Sequence, residues 1–192
     1  MLSKKGYDEY SLSDGVRLSE YSPEYSDIAM DLINIISKRY PYIQFTLFET
    51  ALLNDLLNHI VAQNTIFIQA EKGSSVFIFR FLQDAGYKNL MYKPSQKDFN
   101  LYWARDSIIV TYIISEAPLR ITKPHTIMLE KMLVDMYADK PISGTYNKTE
   151  FQSVFENAQK HYLLERKRML RYARRRNKEG AIRRFLESKD SP

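Results

Sequence analysis

The chain has 192 residues, a net charge of +5, 44% apolar and 13% aromatic residues, and no cysteine. This length suits one domain, or one domain with a helical annex, and the composition supplies a core and argues against disorder. The lack of thiols excludes disulfides, thiolate nucleophiles and cysteine-bound zinc, and no window approaches the roughly 18 consecutive apolar residues of a membrane span.

Residues 1–7 lead into no apolar stretch, so no signal peptide is expected and the expected location is cytoplasmic. Residues 1–25, rich in Ser, Tyr, Asp and Glu, read as a leader or as the remnant of a preceding wing, with 6–12 a candidate strand. Ser26 is suited to cap a first helix with Ile28, Leu32, Ile35 and Ile36 as its apolar stripe, closed by Pro41. Residues 42–48 are β-rich, and 50–62 read as a helix with Leu52, Leu53, Leu56, Leu57 and Ile60 on one face.

A strand–helix–strand unit follows. Residues 65–70 form a short buried-type strand, Ser74 or Ser75 caps a helix to about Ala85, and Gly86 ends it in the left-handed conformation. That helix is apolar nearly all round and is expected to be buried on more than one side. With 89–92 as the next strand, the unit reads as a parallel crossover. Residues 107–114, continuous and β-branched, are the expected central strand, and 119–122 a short edge strand.

From 126 onward the pattern is helical. In 126–138, Leu129, Met132, Leu133, Met136 and Tyr137 form the inner face, with Lys131 and Asp135 spaced to pair on the polar one. After a turn at 141–144, Asn147 with Glu150 resembles a capping box for a helix lined by Phe151, Val154, Phe155, Ala158 and Tyr162. The expectation is an α/β fold, a mixed sheet of about four to six strands flanked by helices. Its divisions are 1–25, a core over 26–125, and a C-terminal helical subdomain over 126–187 packed on that core.

The strongest functional signal is the run 160–184, where eleven basic residues meet two acidic ones for a local charge of +9. The rest of the chain therefore sums to about −4, so the basicity is local and points to an anionic partner. Placed on a helix, Lys167, Arg171, Arg174 and Lys178 form one exposed stripe, flanked by Arg168 and Arg175, while Leu163, Met169, Leu170 and Ala173 face inward. Arg166, Lys167, Arg168, Arg171, Arg174, Arg175 and Arg176 are the expected contacts to phosphates or to an acidic partner.

Signatures of common enzymes are absent, and His59, His125 and His161 stand apart with no metal-ligand spacing, so no catalytic residue, cofactor or metal is expected. Trp103, beside Tyr102 and Arg105, reads as a core residue. A metal-dependent nuclease using Glu49, Glu71 and Lys72 is one alternative. It is weakened because adjacent Glu71 and Lys72 would point to opposite faces of a strand. A protein-interaction module without DNA affinity is the other.

Read in order, Ile114-Ser115-Glu116-Ala117-Pro118, then Leu129-Glu130-Lys131-Met132-Leu133-Val134-Asp135, then Tyr172-Ala173-Arg174-Arg175-Arg176 form a pattern. It resembles the C-terminal domain of a bacterial family related to the AbiEi antitoxins of abortive-infection (type IV) toxin–antitoxin systems. The resemblance spans roughly 27–180 and is most specific over 114–176, with Glu116, Pro118, Glu130, Lys131, Asp135 and Tyr172 as motif positions. It implies a non-enzymatic regulatory domain that antagonises a nucleotidyltransferase-like toxin, without requiring a stable complex with it. It also implies a preceding winged helix that binds promoter DNA. Here only the candidate strand 6–12 precedes the domain, so the winged helix is expected to be missing and the basic helix remains as the DNA-contacting surface.

Overall fold

The computed structural model describes residues 3–4, 10–11, 17–57, 61 and 63–187, with side chains from Leu18 onward apart from Lys148. The described strands are β1 (Ser3–Lys4), β2 (Tyr10–Ser11), β3 (Arg17–Leu18), β4 (Phe45–Glu49), β5 (Thr65–Ala70), β6 (Leu90–Tyr92) and β7 (Ser107–Tyr112). The helices are α1 (Asp27–Arg39), α2 (Ser75–Asp84), α3 (Gln96–Tyr102), α4 (Leu129–Ala138), α5 (Lys140–Ser143), α6 (Phe151–His161), α7 (Arg166–Arg175) and α8 (Glu179–Glu187).

The fold is α/β, with a four-stranded mixed sheet of order β4-β5-β7-β6 flanked by helices. β4 runs antiparallel to β5, while β5, β7 and β6 are mutually parallel. Alternation along the strands divides the molecule into two cores. Ile66, Ile68, Ile108 and Val110 pack with Leu32, Ile36, Ile78 and Leu82 of α1 and α2. Phe67 and Ile109, on the opposite face, join Leu133, Phe155, Met169 and Ile182 of the C-terminal helices.

Several sequence expectations shift in register. Ser26 does cap α1, accepting from the Ala29 amide at 3.3 Å, but the buried face is Ala29, Leu32, Ile33 and Ile36, and Ile28 is half exposed. The parallel unit β5-α2-β6 forms, yet β7 lies between its strands, so the crossover spans a strand instead of joining neighbours. α2 is buried on one side only, through Ser75, Ile78 and Leu82, and Phe77 is half exposed. Gly86 ends it at φ +82°, the left-handed closure that glycine permits.

The segment expected as a helix over 50–62 is a 3₁₀ stretch, Thr50–Asp55, while Ile60, like His59, lies outside the described residues. β7 ends at Tyr112, and 119–122 contributes only the isolated bridge Leu119↔Ile127 instead of an edge strand. α3 has no counterpart among the sequence expectations, although Ser95 and Asp98 form a reciprocal capping box at its start. The Asn147 side chain accepts from Thr149, while the Glu150 amide donates to the Asn147 backbone carbonyl at 3.0 Å. Trp103 stacks on Phe99 and donates to Thr65 Oγ1 at 2.8 Å, which fits the expected core role.

Of the candidate strand 6–12, only Tyr10 and Ser11 are described, as the middle of a small antiparallel sheet β1-β2-β3. Ser19 bridges to Tyr162, Tyr21 is buried, and the Tyr25 hydroxyl contacts both the Leu47 carbonyl at 2.6 Å and the Ile127 amide at 2.8 Å. Residues 19–25 are thus woven into the body. Among the described residues no helix is long and apolar enough to cross a membrane.

Candidate nucleic-acid interface

The basic run starts at the end of α6 and continues through α7 and α8, which meet at a corner. α7 begins where Glu165 accepts from the Lys167 and Arg168 amides at 3.0 and 3.1 Å, a side-chain cap of negative charge at the positive helix end. It stops at Arg175 because Asn177 takes φ +55°, and the Lys178 amide turns back to the Ala173 carbonyl at 2.8 Å. Lys178 therefore leaves the expected stripe, and its ammonium lies over the Tyr137 ring at 5.8 Å.

Within α7 the expected division of faces holds in outline. Met169, Tyr172 and Ala173 are buried, and Arg166, Lys167, Arg171, Arg174 and Arg175 are exposed. Lys167, Arg171 and Arg174 share one face, at i, i+4 and i+7, on a helix about 15 Å long. Arg166 and Lys167 have no side-chain partner among the described residues. Arg171 pairs with Glu116 at 3.1 Å, and Arg175 donates to the Ser115 hydroxyl, so the basic helix meets the turn after β7. Glu116 holds φ +64° in that turn, and Pro118 is buried behind it.

Two of the seven expected contacts point elsewhere. Arg168 is one-third exposed and faces Glu130 at 3.5 Å and Glu165 at 3.7 Å. Arg176 is only 11% exposed and turns inward to Asp139 at 3.3 Å and Asp135 at 3.8 Å, so it holds the helix and offers no surface charge. Asp139 was the missed partner. It lies four residues after Asp135, the spacing that puts two side chains on one helix face.

The motif positions of α4 and α7 converge on this dock. Lys131 and Asp135 do pair, but in the interior, at 0% and 1% exposure, and not on a polar face. Lys131 also donates to Gln69 of β5, and Asp135 accepts from the Tyr172 hydroxyl at 2.6 Å. Glu130, nearly buried, accepts the Glu165 amide at 3.0 Å and so fixes the start of α7. Burial, then the neighbouring Asp135, push the Tyr172 hydroxyl above its ordinary range. Burial and Asp135 likewise raise the Asp139 carboxyl, while Arg176 draws it down. Lys131, Arg176, Asp135 and Asp139 balance in charge, joining sheet, α4 and α7 through one buried polar network.

At the α7–α8 corner, Glu179 accepts from Arg174 at 2.7 and 3.1 Å and from Arg183 at 2.9 Å. These bonds hold its carboxyl down at about 2. A depressed acid contributes stability above the ordinary carboxylate range and loses it as pH falls toward the folded value. A carbon-detected NMR titration is expected to find the Glu179 midpoint near 2, and Arg174→Ala to move it upward. An ordinary midpoint in the parent chain would contradict the clamp.

The alternative nuclease constellation does not assemble. Glu49 is fully buried, accepting from the Ser26 amide at 2.6 Å, the Ser26 hydroxyl at 2.8 Å and the Asn64 amide group at 2.6 Å. It pairs across from Ile66, whereas Glu71 and Lys72 follow Ala70 at the other end of β5, roughly 16 Å away along the strand. Among the described residues no group of three or more His, Asp or Glu is arranged to hold a metal ion. His125 stacks on Phe45, and His161 ends α6.

A family model described as a family of unknown function, DUF6577, matches residues 1–191. No curated protein and no solved structure matches the chain.

Proposed function

The chain belongs to the DUF6577 family of unknown function, and from that premise we propose a non-enzymatic, antitoxin-type regulatory domain that docks on the DNA backbone through α7. The carrying observation is the exposed face Lys167, Arg171 and Arg174, flanked by Arg166 and Arg175, on a helix whose opposite face is anchored in the core. A row of cations on a folded helix meets phosphates without first losing backbone freedom for the whole segment. The surface pairs Arg171–Glu116 and Arg174–Glu179 do not bar this, because both arginines are exposed and a phosphate offers them the same charge-assisted hydrogen bonds as the carboxylates. The antitoxin role rests on the resemblance over 114–176, whose motif positions Glu130, Lys131, Asp135 and Tyr172 support the presentation of this helix.

Backbone docking of this kind is set by counterion release, and it reads little sequence. Titrating a labelled duplex at 50 and 200 mM salt is expected to show about a 500-fold loss of affinity if five phosphates are neutralised, at a slope of about −0.9 each. Lys167→Ala/Arg174→Ala is expected to reduce that slope by about 1.8. Absence of salt-dependent binding, or binding indifferent to the double substitution, would remove the DNA reading and favour an acidic protein partner. The antitoxin role is checked separately, by co-expression with a nucleotidyltransferase-like toxin encoded beside this chain. Restored growth supports it, and unrelieved toxicity sinks it.

A further inference from the structure

β5 and β7 are neighbouring parallel strands whose onward connections part. β5 leads into α2, which packs with α1 over one face of the sheet, and β7 leads toward α4, which packs on the other. A crevice opens where adjacent strands send the chain to opposite faces, and open α/β sheets take their ligands outside the carboxyl ends of the strands at that point. Here it is a cleft of about 380 Å³, within the size range of small-ligand sites.

Four parts of the chain line it: Gln44 just ahead of β4, Glu71 and Lys72 from the turn after β5, Tyr112, Ile114 and Ser115 at and beyond the end of β7, and Arg175 from α7. Neither Lys72 nor Arg175 is paired with a carboxylate among the described residues, and Arg175 is aimed by its bond to Ser115. Two unneutralised cations from separate elements suit a phosphomonoester, which arginine and lysine bind through charge-assisted hydrogen bonds. Glu71 has no partner among the described residues either. Its carboxylate would repel a bare phosphate, but it can accept from vicinal hydroxyls, as acidic side chains do with ribose. Tyr112, 37% exposed with the Lys93 ammonium 4.7 Å from its ring centre, forms with Ile114 a wall suited to a planar ring.

We propose that this crevice binds a nucleoside monophosphate, with Lys72 and Arg175 on the phosphate, Glu71 on the ribose hydroxyls and the Tyr112 wall against the base. The proposal shares Arg175 with the DNA reading but is tested apart from it, since Lys72 and Tyr112 lie outside α7. Isothermal titration of the full chain with AMP, GMP, CMP and UMP, and with inorganic phosphate, tests it. At least one nucleotide is expected to bind with a Kd below about 1 mM and at least about tenfold more tightly than phosphate. Lys72→Ala, at an exposed position that leaves folding intact, is expected to weaken binding about tenfold or more, whereas Lys167→Ala/Arg174→Ala leaves it unchanged. No binding by any of the four, equal affinity for phosphate, or indifference to Lys72→Ala would overturn it.

Discussion

Asp135→Ala is expected to lower stability by about 3–5 kcal/mol, the range for removing one partner of a buried ion pair. Asp135 is 1% exposed and accepts from Lys131 and from the Tyr172 hydroxyl, with Arg176 at 3.8 Å. Without it, the fully buried Lys131 ammonium keeps only neutral partners, the Gln69 carbonyl and the Tyr172 ring at 5.7 Å, and the cations of the network outnumber the remaining Asp139. Burial of an uncompensated charge, more than loss of the pair's own attraction, sets the cost. Replacing both ends together, as Lys131→Met/Asp135→Leu, is therefore expected to recover the share due to Lys131, while the Tyr172 hydroxyl and Arg176 still lack that acceptor. Urea denaturation of the single and double variants separates these effects. A single variant within about 1 kcal/mol of the parent would mean that Lys131 finds water or another acceptor, and that the network does not hold α7.

This network also marks where sequence reading stopped. The spacing of Lys131 and Asp135 gave the pairing, and Met169 and Ala173 gave the inner face of α7. Nothing in a helical period says that a charged pair belongs on the inner face, because its burial depends on Gln69 arriving from β5 and Tyr172 from α7. The cap at Ser26, the strand 65–70 and the turn at Gly86 were legible because their causes lie within a few residues. The order β4-β5-β7-β6 was not, since an alternation of apolar residues identifies a strand without naming its neighbour.

The same limit explains the candidate site. The cationic face of α7 was readable from charge and spacing, while the inward turn of Arg176 required the left-handed Asn177 and the carboxylates of α4 and Asp139. The crevice beneath Arg175 is not legible in any one segment. It exists because β7 inserts between β5 and β6, a long-range choice that brings Ser115 to a helix sixty residues later in sequence.

Glu49→Ala is expected to cost about 3 kcal/mol, and the reason bears on the rival reading of Glu49 as a catalytic carboxylate. The side chain is fully buried and accepts three hydrogen bonds, two from the N-cap of α1 and one from Asn64. Its negative charge also faces the positive end of that helix. Bonds to a charged acceptor contribute about 1.5–3 kcal/mol each and are not additive, so the total falls well below their sum. Glu49→Gln is informative in a different way. Asn64 is held in orientation because its carbonyl accepts from the Ala51 amide at 3.0 Å, which keeps its amide group toward Glu49. An amide at position 49 must then set its own NH₂ against either Asn64 or the Ser26 amide, leaving one donor unsatisfied. That variant is expected to lose about 1–3 kcal/mol despite its matched shape. A carboxylate kept for chemistry would behave oppositely, with Glu49→Gln as stable as the parent. Chemical denaturation of both variants decides between them, and a Glu49→Ala chain within about 0.5 kcal/mol of the parent would refute the structural role.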